Sequence, residues 1–198
     1  MLFKQSEKLM FIPEEIKADF LSASAHKFHG PKGVGILYST PQHFDNLLHG
    51  GEQEEKRRAS TENMIGIAGM AKALSDTVTN KDVNYKHVKE LRQSFLDAIS
   101  GLDYYINGSQ NKMPHVLNIG FPNQNNGILL THLDLAGIAV STGSACTAGT
   151  VDPSHVLASL YGEDSPRLAE SIRVSFSELN TIEEVQELAK KLIEIVGK

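Results

Sequence analysis

The sequence predicts a mixed α/β fold. Short β-branched runs bounded by glycine and proline alternate with stretches of helical apolar spacing, and 16 glycines with 7 prolines supply frequent turns. No heptad pattern or internal repeat competes with that reading. The 198 residues, 40% hydrophobic and 22% charged, suffice for the core of one ordinary domain or two small ones. A formal net charge of -5, with scattered basic residues, argues against nucleic acid or an anionic membrane as the main partner. One cysteine, Cys146, excludes an internal disulfide. Apolar runs such as Leu9 to Ile12 are too short for a bilayer span or a secretory signal. A soluble protein of a reducing, cytoplasmic compartment is therefore expected.

Asp19 to Ser24 and Val34 to Tyr38 read as two buried strands. Between them, Ala25 to Gly33 is too rich in glycine, proline and histidine for regular structure, and a decorated loop joining two strands is a good place for chemistry. From Thr61 the pattern Met64, Ile65, Ile67, Ala68, Met70, Ala71, Ala73, Leu74 is apolar on nearly every side, which predicts a buried helix capped by Ser60 or Thr61. A second helix runs from Val83 to Ile99, with Val83, His87, Leu91, Phe95 and Ile99 on one side. Strands follow at 103–106 and 115–119, a helix at 127–135, a strand at 138–141, a loop of small residues, a helix at 153–160 and a strand at 172–176. The last helix spans Thr181 to Val196. Asn180 or Thr181 caps it, Glu183 and Glu184 occupy its first turn, and Ile182, Val185, Leu188, Leu192 and Ile195 form its buried stripe.

This order predicts a compact C-terminal α/β unit, residues 83–198, with a sheet of about four strands. The polar shift at Ser75 to Asp82 separates it from a first part, residues 1–82. Two strands, a long loop and one apolar helix cannot cover both faces of a sheet. Either the helix of this first part is thus expected to pack on the second unit and on another subunit, or the chain is expected to be the C-terminal portion of a longer protein.

Lys27 lies between His26 and the turn Phe28-His29-Gly30-Pro31. A partly desolvated amine at the end of a buried strand suits imine formation, with a solvated loop lysine as the alternative. Ser24 and His26 offer a hydroxyl and an imidazole to a phosphate ester. Cys146 sits among ten small residues, Ser141 to Thr150, so an exposed, mobile thiol competes with a buried small hydrophobe. Arg173 stands on a strand with apolar neighbours. It could pair with a carboxylate or face solvent on the polar side of the strand. Thr61 could help bind an anion at a helix N-terminus or simply cap the helix. One cysteine and no paired ligand motif leave His26 and His29 without a metal-site pattern.

In combination these segments go further. Ser22-Ala23-Ser24-Ala25-His26-Lys27-Phe28-His29-Gly30-Pro31-Lys32-Gly33, then Gly50-Gly51-Glu52-Gln53-Glu54 leading to Arg58-Ala59-Ser60-Thr61-Glu62-Asn63, then Gly143-Ser144-Ala145-Cys146 and Ser171 to Ser175 closely resemble cysteine desulfurases of the NifS/IscS type. That family belongs to the class V aminotransferase superfamily of fold-type I, pyridoxal phosphate-dependent transferases. The resemblance covers essentially the whole chain, in order. The long small-residue segment before Asp152-Pro153-Ser154-His155 is similar to the subgroup with an extended cysteine loop.

The resemblance implies that residues 1–82 are the end of the large, cofactor-binding domain and that residues 83–198 are the complete small domain. It implies that Lys27 is the Schiff-base lysine, that Gln5, Ser24 and His26 contact the cofactor, and that Thr61 reaches the phosphate of the neighbouring subunit of a homodimer. Arg173 would bind the carboxylate of L-cysteine. Cys146 would take its sulfur as a persulfide, leaving alanine, and deliver it to an iron-sulfur scaffold or a tRNA thiolase. Two departures stand out: Leu2 occupies the place of the aspartate that pairs with the pyridinium nitrogen, and Ser60 replaces the glycine usual before the threonine. Family members are roughly twice as long, as a large and a small domain together require. A non-catalytic fragment that keeps only dimerisation or docking surfaces is the alternative.

Overall fold

The computed structural model describes residues 13–41, 44–109, 113–143 and 154–197. They fall into two units, Met1–Val83 and Asn84–Lys198. In the first, β1 (Phe20–Ser24) pairs antiparallel with β2 (Gly35–Ser39), in a register that sets Ser24 opposite Gly35. A side chain at Gly35 would bring its Cβ within 2.4 Å of the Ala23 carbonyl oxygen, so only glycine lets the two backbones approach.

The connecting segment is more regular than the sequence predicts. Ala25–Lys27 forms a 3-10 turn, because Ala25 and Phe28 are buried and the Ala25 carbonyl accepts from both the Phe28 and the Gly30 amides at 3.0 and 2.9 Å. Further along, α1 (Gln53–Lys56) is a distorted turn in which Glu54, Glu55 and Lys56 adopt left-handed φ angles of 51, 55 and 66°.

Helix α2 (Met64–Thr79) departs from expectation in two respects. Its cap is Asn63, whose Oδ1 accepts from the Gly66 amide at 3.0 Å, rather than Ser60 or Thr61. It is also not a buried helix within this unit: Met64 is 66% exposed and Ile65 88%. The two-stranded ribbon is too small to cover it, and the turn touches one face only. Gly69 faces Pro31 there, and the Thr77 hydroxyl donates to the Phe28 carbonyl at 3.4 Å. Leu37, Leu47, Ile67 and Met70 line an open cleft beside β2.

Helix α3 (Lys81–Ala98) leads into the second unit. There β3 (Tyr105–Ile106), β4 (Val116–Gly120) and β5 (Ser171–Ser175) form an antiparallel sheet in the order β3-β4-β5. Between β4 and β5 come α4 (Asn126–Leu135), α5 (His155–Tyr161) and α6 (Arg167–Glu170), and α7 (Ile182–Val196) closes the chain. Among the described residues the expected fourth strand, 138–141, shrinks to a bridge from Ser141 to Arg173. The cause lies at the end of α4, where Gly137 turns left-handed at φ 77° and the Ile138 amide bonds back to the Leu133 carbonyl at 2.9 Å. That cap holds the chain against the helix until Ser141 can reach β5.

The core of this unit joins Val88, Leu91, Phe95 and Ile99 to Leu117, Ile119, Ile172 and Val174 of the sheet and to Val185, Leu188 and Leu192 of α7. The buried face of α3 therefore follows Val88 instead of Val83, which is 71% exposed. Thr181 and Glu184 form a reciprocal capping box at the start of α7. No helix among the described residues is long and apolar enough to cross a membrane.

Candidate active site

The 3-10 turn at the end of β1 turns Ala25 and Phe28 inward, so Ser24, His26 and Lys27 point outward and are exposed. Ser24 occupies the N-cap position of this turn yet makes no capping hydrogen bond. One short segment thus presents an uncommitted hydroxyl, an imidazole and a primary amine. Hydroxyl and imidazole donors suit a phosphate ester, and the amine suits an aldehyde, so this donor set fits pyridoxal phosphate. The partial desolvation expected of Lys27 is not found, because the turn packs on α2 through its other side and nothing among the described residues of this unit covers the Lys27 side chain.

Thr61 lies in the extended segment before α2 and is exposed, with the capping role already taken by Asn63. Its left neighbour Ser60 has φ 91°, a conformation that favours glycine. Gln5 and Cys146 lie outside the described residues. No group of three or more His, Cys, Asp or Glu side chains able to hold a metal ion occurs among the described residues.

In the second unit Arg173 sits in the middle of β5, opposite Asn118 on one side and bridged to Ser141 on the other. It is partly buried, not a solvent-facing arginine, and its Nη1 donates to the Gly143 carbonyl at 2.8 Å. Its Nε is buried and has no hydrogen-bond partner among the described residues.

Beside it lies a polar cluster that the sequence does not announce. Asn107, only 4% exposed, donates to Asn118 Oδ1 at 2.7 Å and to the Ser171 hydroxyl at 2.8 Å. It accepts from Arg167 Nη1 at 2.7 Å, while the Arg167 guanidinium lies between the rings of Tyr105 and Tyr161, 4.2 and 4.5 Å from their centroids. The Tyr105 hydroxyl donates to Glu170 at 2.8 Å, and burial together with this bond pushes its pKa up to about 12. Each buried polar group here finds a partner, so the cluster fixes β3, α5 and α6 against β5.

Comparison with known proteins places these features in context. Residues 7–188 match the model of the family described as aminotransferase class-V. A protein named putative cysteine desulfurase IscS 1, from Bacillus subtilis (strain 168), is 44% identical over 194 residues, covering 94% of this chain and 51% of that protein. Cysteine desulfurase IscS from Clostridium botulinum (strain Hall) is 38% identical over 189 residues, 92% of this chain and 47% of the relative. Among solved structures, a NifS-like protein superposes with a TM-score of 0.82 at 36% identity, covering 96% of this chain and 50% of its own. The NifS-like protein of Rickettsia africae gives 0.84 at 26% identity, over 100% of this chain and 52% of its own. The chain spans about half the length of the curated relatives it matches.

Proposed function

Because the chain belongs to the aminotransferase class-V family, a family that uses pyridoxal phosphate, we propose that it supplies the lysine, the thiol and the carboxylate-binding guanidinium of a cysteine desulfurase. The observation that carries the reading is the outward-facing turn of Ser24, His26 and Lys27, whose hydroxyl is left free at a cap position. In this reading residues 1–82 belong to the cofactor-binding domain and 83–198 form the small domain.

Pyridoxal phosphate, when bound, withdraws electrons from the α-carbon of an amino acid joined to it. Lys27 Nζ would hold the cofactor's aldehyde and Ser24 and His26 would donate to its phosphate, while the polar contact of Gln5, outside the described residues, is what the resemblance implies. Thr61 serves the phosphate of a second copy in a homodimer. Arg173 orients L-cysteine by its carboxylate. The Cys146 thiolate attacks the substrate sulfur, so that an S–S bond forms while the substrate C–S bond breaks. The electron pair stays on the substrate carbon, which takes a proton and leaves as alanine. The persulfide then passes to the thiol of an acceptor, an iron-sulfur scaffold or a tRNA-modifying thiolase, in the cytoplasm.

Exposure of the Lys27 turn sets a condition. An amine and phosphate donors open to water position a cofactor poorly, and groups that act as a unit fail together. The 198-residue chain alone should therefore show little or no turnover. Coexpressed with the first half of the Bacillus subtilis relative, it should form alanine from L-cysteine and carry a persulfide on Cys146. Lys27→Ala and Cys146→Ser should each abolish this. If the two polypeptides associate but no alanine forms, the chain is a non-catalytic docking module, a reading favoured by the outer edges of β1 and β2, which pair with no other strand among the described residues.

Self-association follows from the start of α2, where the neighbouring apolar side chains Met64 and Ile65 are exposed. Sedimentation should show a concentration-dependent dimer that Ile65→Glu dissociates. A monomer at every concentration would contradict it.

A further inference from the structure

The sheet of the second unit has two unlike faces. Leu117, Ile119, Ile172 and Val174 turn to the core. The other face carries Asn118 and Arg173, which are cross-strand partners, and Ser171, two positions before Arg173 and therefore on the same side. Asn107, at the end of β3, grips both of these neighbours of Arg173. Its backbone amide donates to the Asn118 carbonyl at 3.0 Å, and its Nδ2 donates to Asn118 Oδ1 at 2.7 Å and to the Ser171 hydroxyl at 2.8 Å.

The direction of the Asn107 amide is dictated by charge. Arg167 Nη1 donates to its Oδ1 at 2.7 Å, and Arg167 is itself held between the rings of Tyr105 and Tyr161. A flipped amide would aim its two N–H donors at a guanidinium and its oxygen at Asn118 Oδ1, and at 4% exposure water does little to relieve either repulsion. A tie between strands needs no such directional control. The Arg173 Nε is buried and bonds to nothing among the described residues, so along that edge the guanidinium takes its place from the side chains packed beside it on the sheet.

We propose that Asn107 and Arg167 are positioning residues for the Arg173 guanidinium, acting through Asn118 and Ser171. Arg167 orients the amide, the amide sets the two side chains next to Arg173, and these fix the direction in which the guanidinium leaves the sheet. The inference rests on the desulfurase reading only for its consequence in substrate binding. What Arg167 contributes is a cationic donor, so lysine should serve in its place, whereas glutamine, whose amide can bond in either sense, should not. A merely structural cluster would lose as much with lysine as with glutamine, since both give up the planar stacking on the tyrosines.

The test observes the Arg173 Nε–H signal by NMR in the full chain labelled with 15N-arginine. In Asn107→Asp, which keeps the shape but has no donors for Asn118 and Ser171, and in Arg167→Gln, the signal should move and exchange with solvent about tenfold faster. Arg167→Lys should restore the wild-type position. The amides of Leu117 and Val174, in the β4–β5 ladder, should keep their protection and show that the fold is intact. Arg167 is only half-buried, so its two variants decide the matter even where Asn107→Asp fails to fold. An Arg173 signal that stays in place in Arg167→Gln, or that moves equally in Arg167→Gln and Arg167→Lys, would overturn the proposal. In the assembly with the first half of the Bacillus subtilis relative, Arg167→Gln should raise KM for L-cysteine about tenfold with kcat changed less than about twofold, and Arg167→Lys should leave both near wild type. A moved signal with an unchanged KM would count against the substrate role of Arg173 and not against its positioning.

Discussion

Ser60 shows what one side chain can cost a segment. It stands at φ 91°, where an L-residue is strained and glycine is not, and its side chain is exposed, so glycine would forfeit no packing. Relief of strain outweighs the extra freedom that glycine gives the unfolded chain, and Ser60→Gly should raise stability by roughly 0.5–1 kcal/mol, read as a higher midpoint in denaturant. Tyr105 offers a second test at this scale. Burial first, then the bond to Glu170, raises its pKa to about 12 in the folded chain, against the usual 10.0. A raised folded value means that the neutral phenol is the form the fold favours. Its contribution is therefore complete below pH 10.0 and lost as the pH climbs towards 12. In an alkaline absorbance titration Tyr105 should ionise late, Tyr105→Phe should remove that late step, and Glu170→Gln should move it to lower pH.

Among the elements, α7 and α2 mark the limits of what the sequence discloses. The cap, first-turn acids and buried stripe of α7 are all local, and each is found where the sequence puts it, with Ala189 joining the stripe. The apolar residues of α2 also specify a helix, but no local signal tells whether the surface meant to cover it lies within the same unit. The strand expected at 138–141 failed for a similar reason: the cap at Gly137 and Ile138 competes for the backbone that would have joined the sheet. For the proposed site, the sequence can single out Ser24, His26 and Lys27 because they are neighbours along the chain, and the structure exposes all three on one turn. The Arg173 contact with Gly143 spans 30 positions and that of Arg167 with Asn107 spans 60, so only the tertiary fold brings them together. The same contrast yields a mutational test. Phe95 is fully buried, its ring 6.1 Å from that of Phe176, and Phe95→Ala should destabilise the second unit by about 3–4 kcal/mol in calorimetry or denaturant unfolding. Ile65→Ala, at a site 88% exposed, should change the stability of the monomer by less than about 0.5 kcal/mol.

Across the whole molecule, the distribution of finished and unfinished surface is uneven. The unit Asn84–Lys198 has a closed core and a satisfied polar cluster, whereas Met1–Val83 carries a two-stranded ribbon, an exposed α2 and an uncovered lysine turn. Two strands seldom stand alone in water, and this asymmetry accords with a chain that spans half the length of its relatives. The central claim is that Lys27 is the amine that holds pyridoxal phosphate. It can be tested without turnover by mixing the chain, coexpressed with the first half of the Bacillus subtilis relative, with pyridoxal phosphate at near-stoichiometric concentration, reducing with borohydride and mapping the labelled peptides by mass. The account predicts that the adduct concentrates on the peptide containing Lys27 and that Lys27→Ala, or removal of the phosphate donors in Ser24→Ala with His26→Ala, sharply reduces total labelling. Label spread over the exposed lysines with no preference for Lys27, and unchanged by these substitutions, would contradict it.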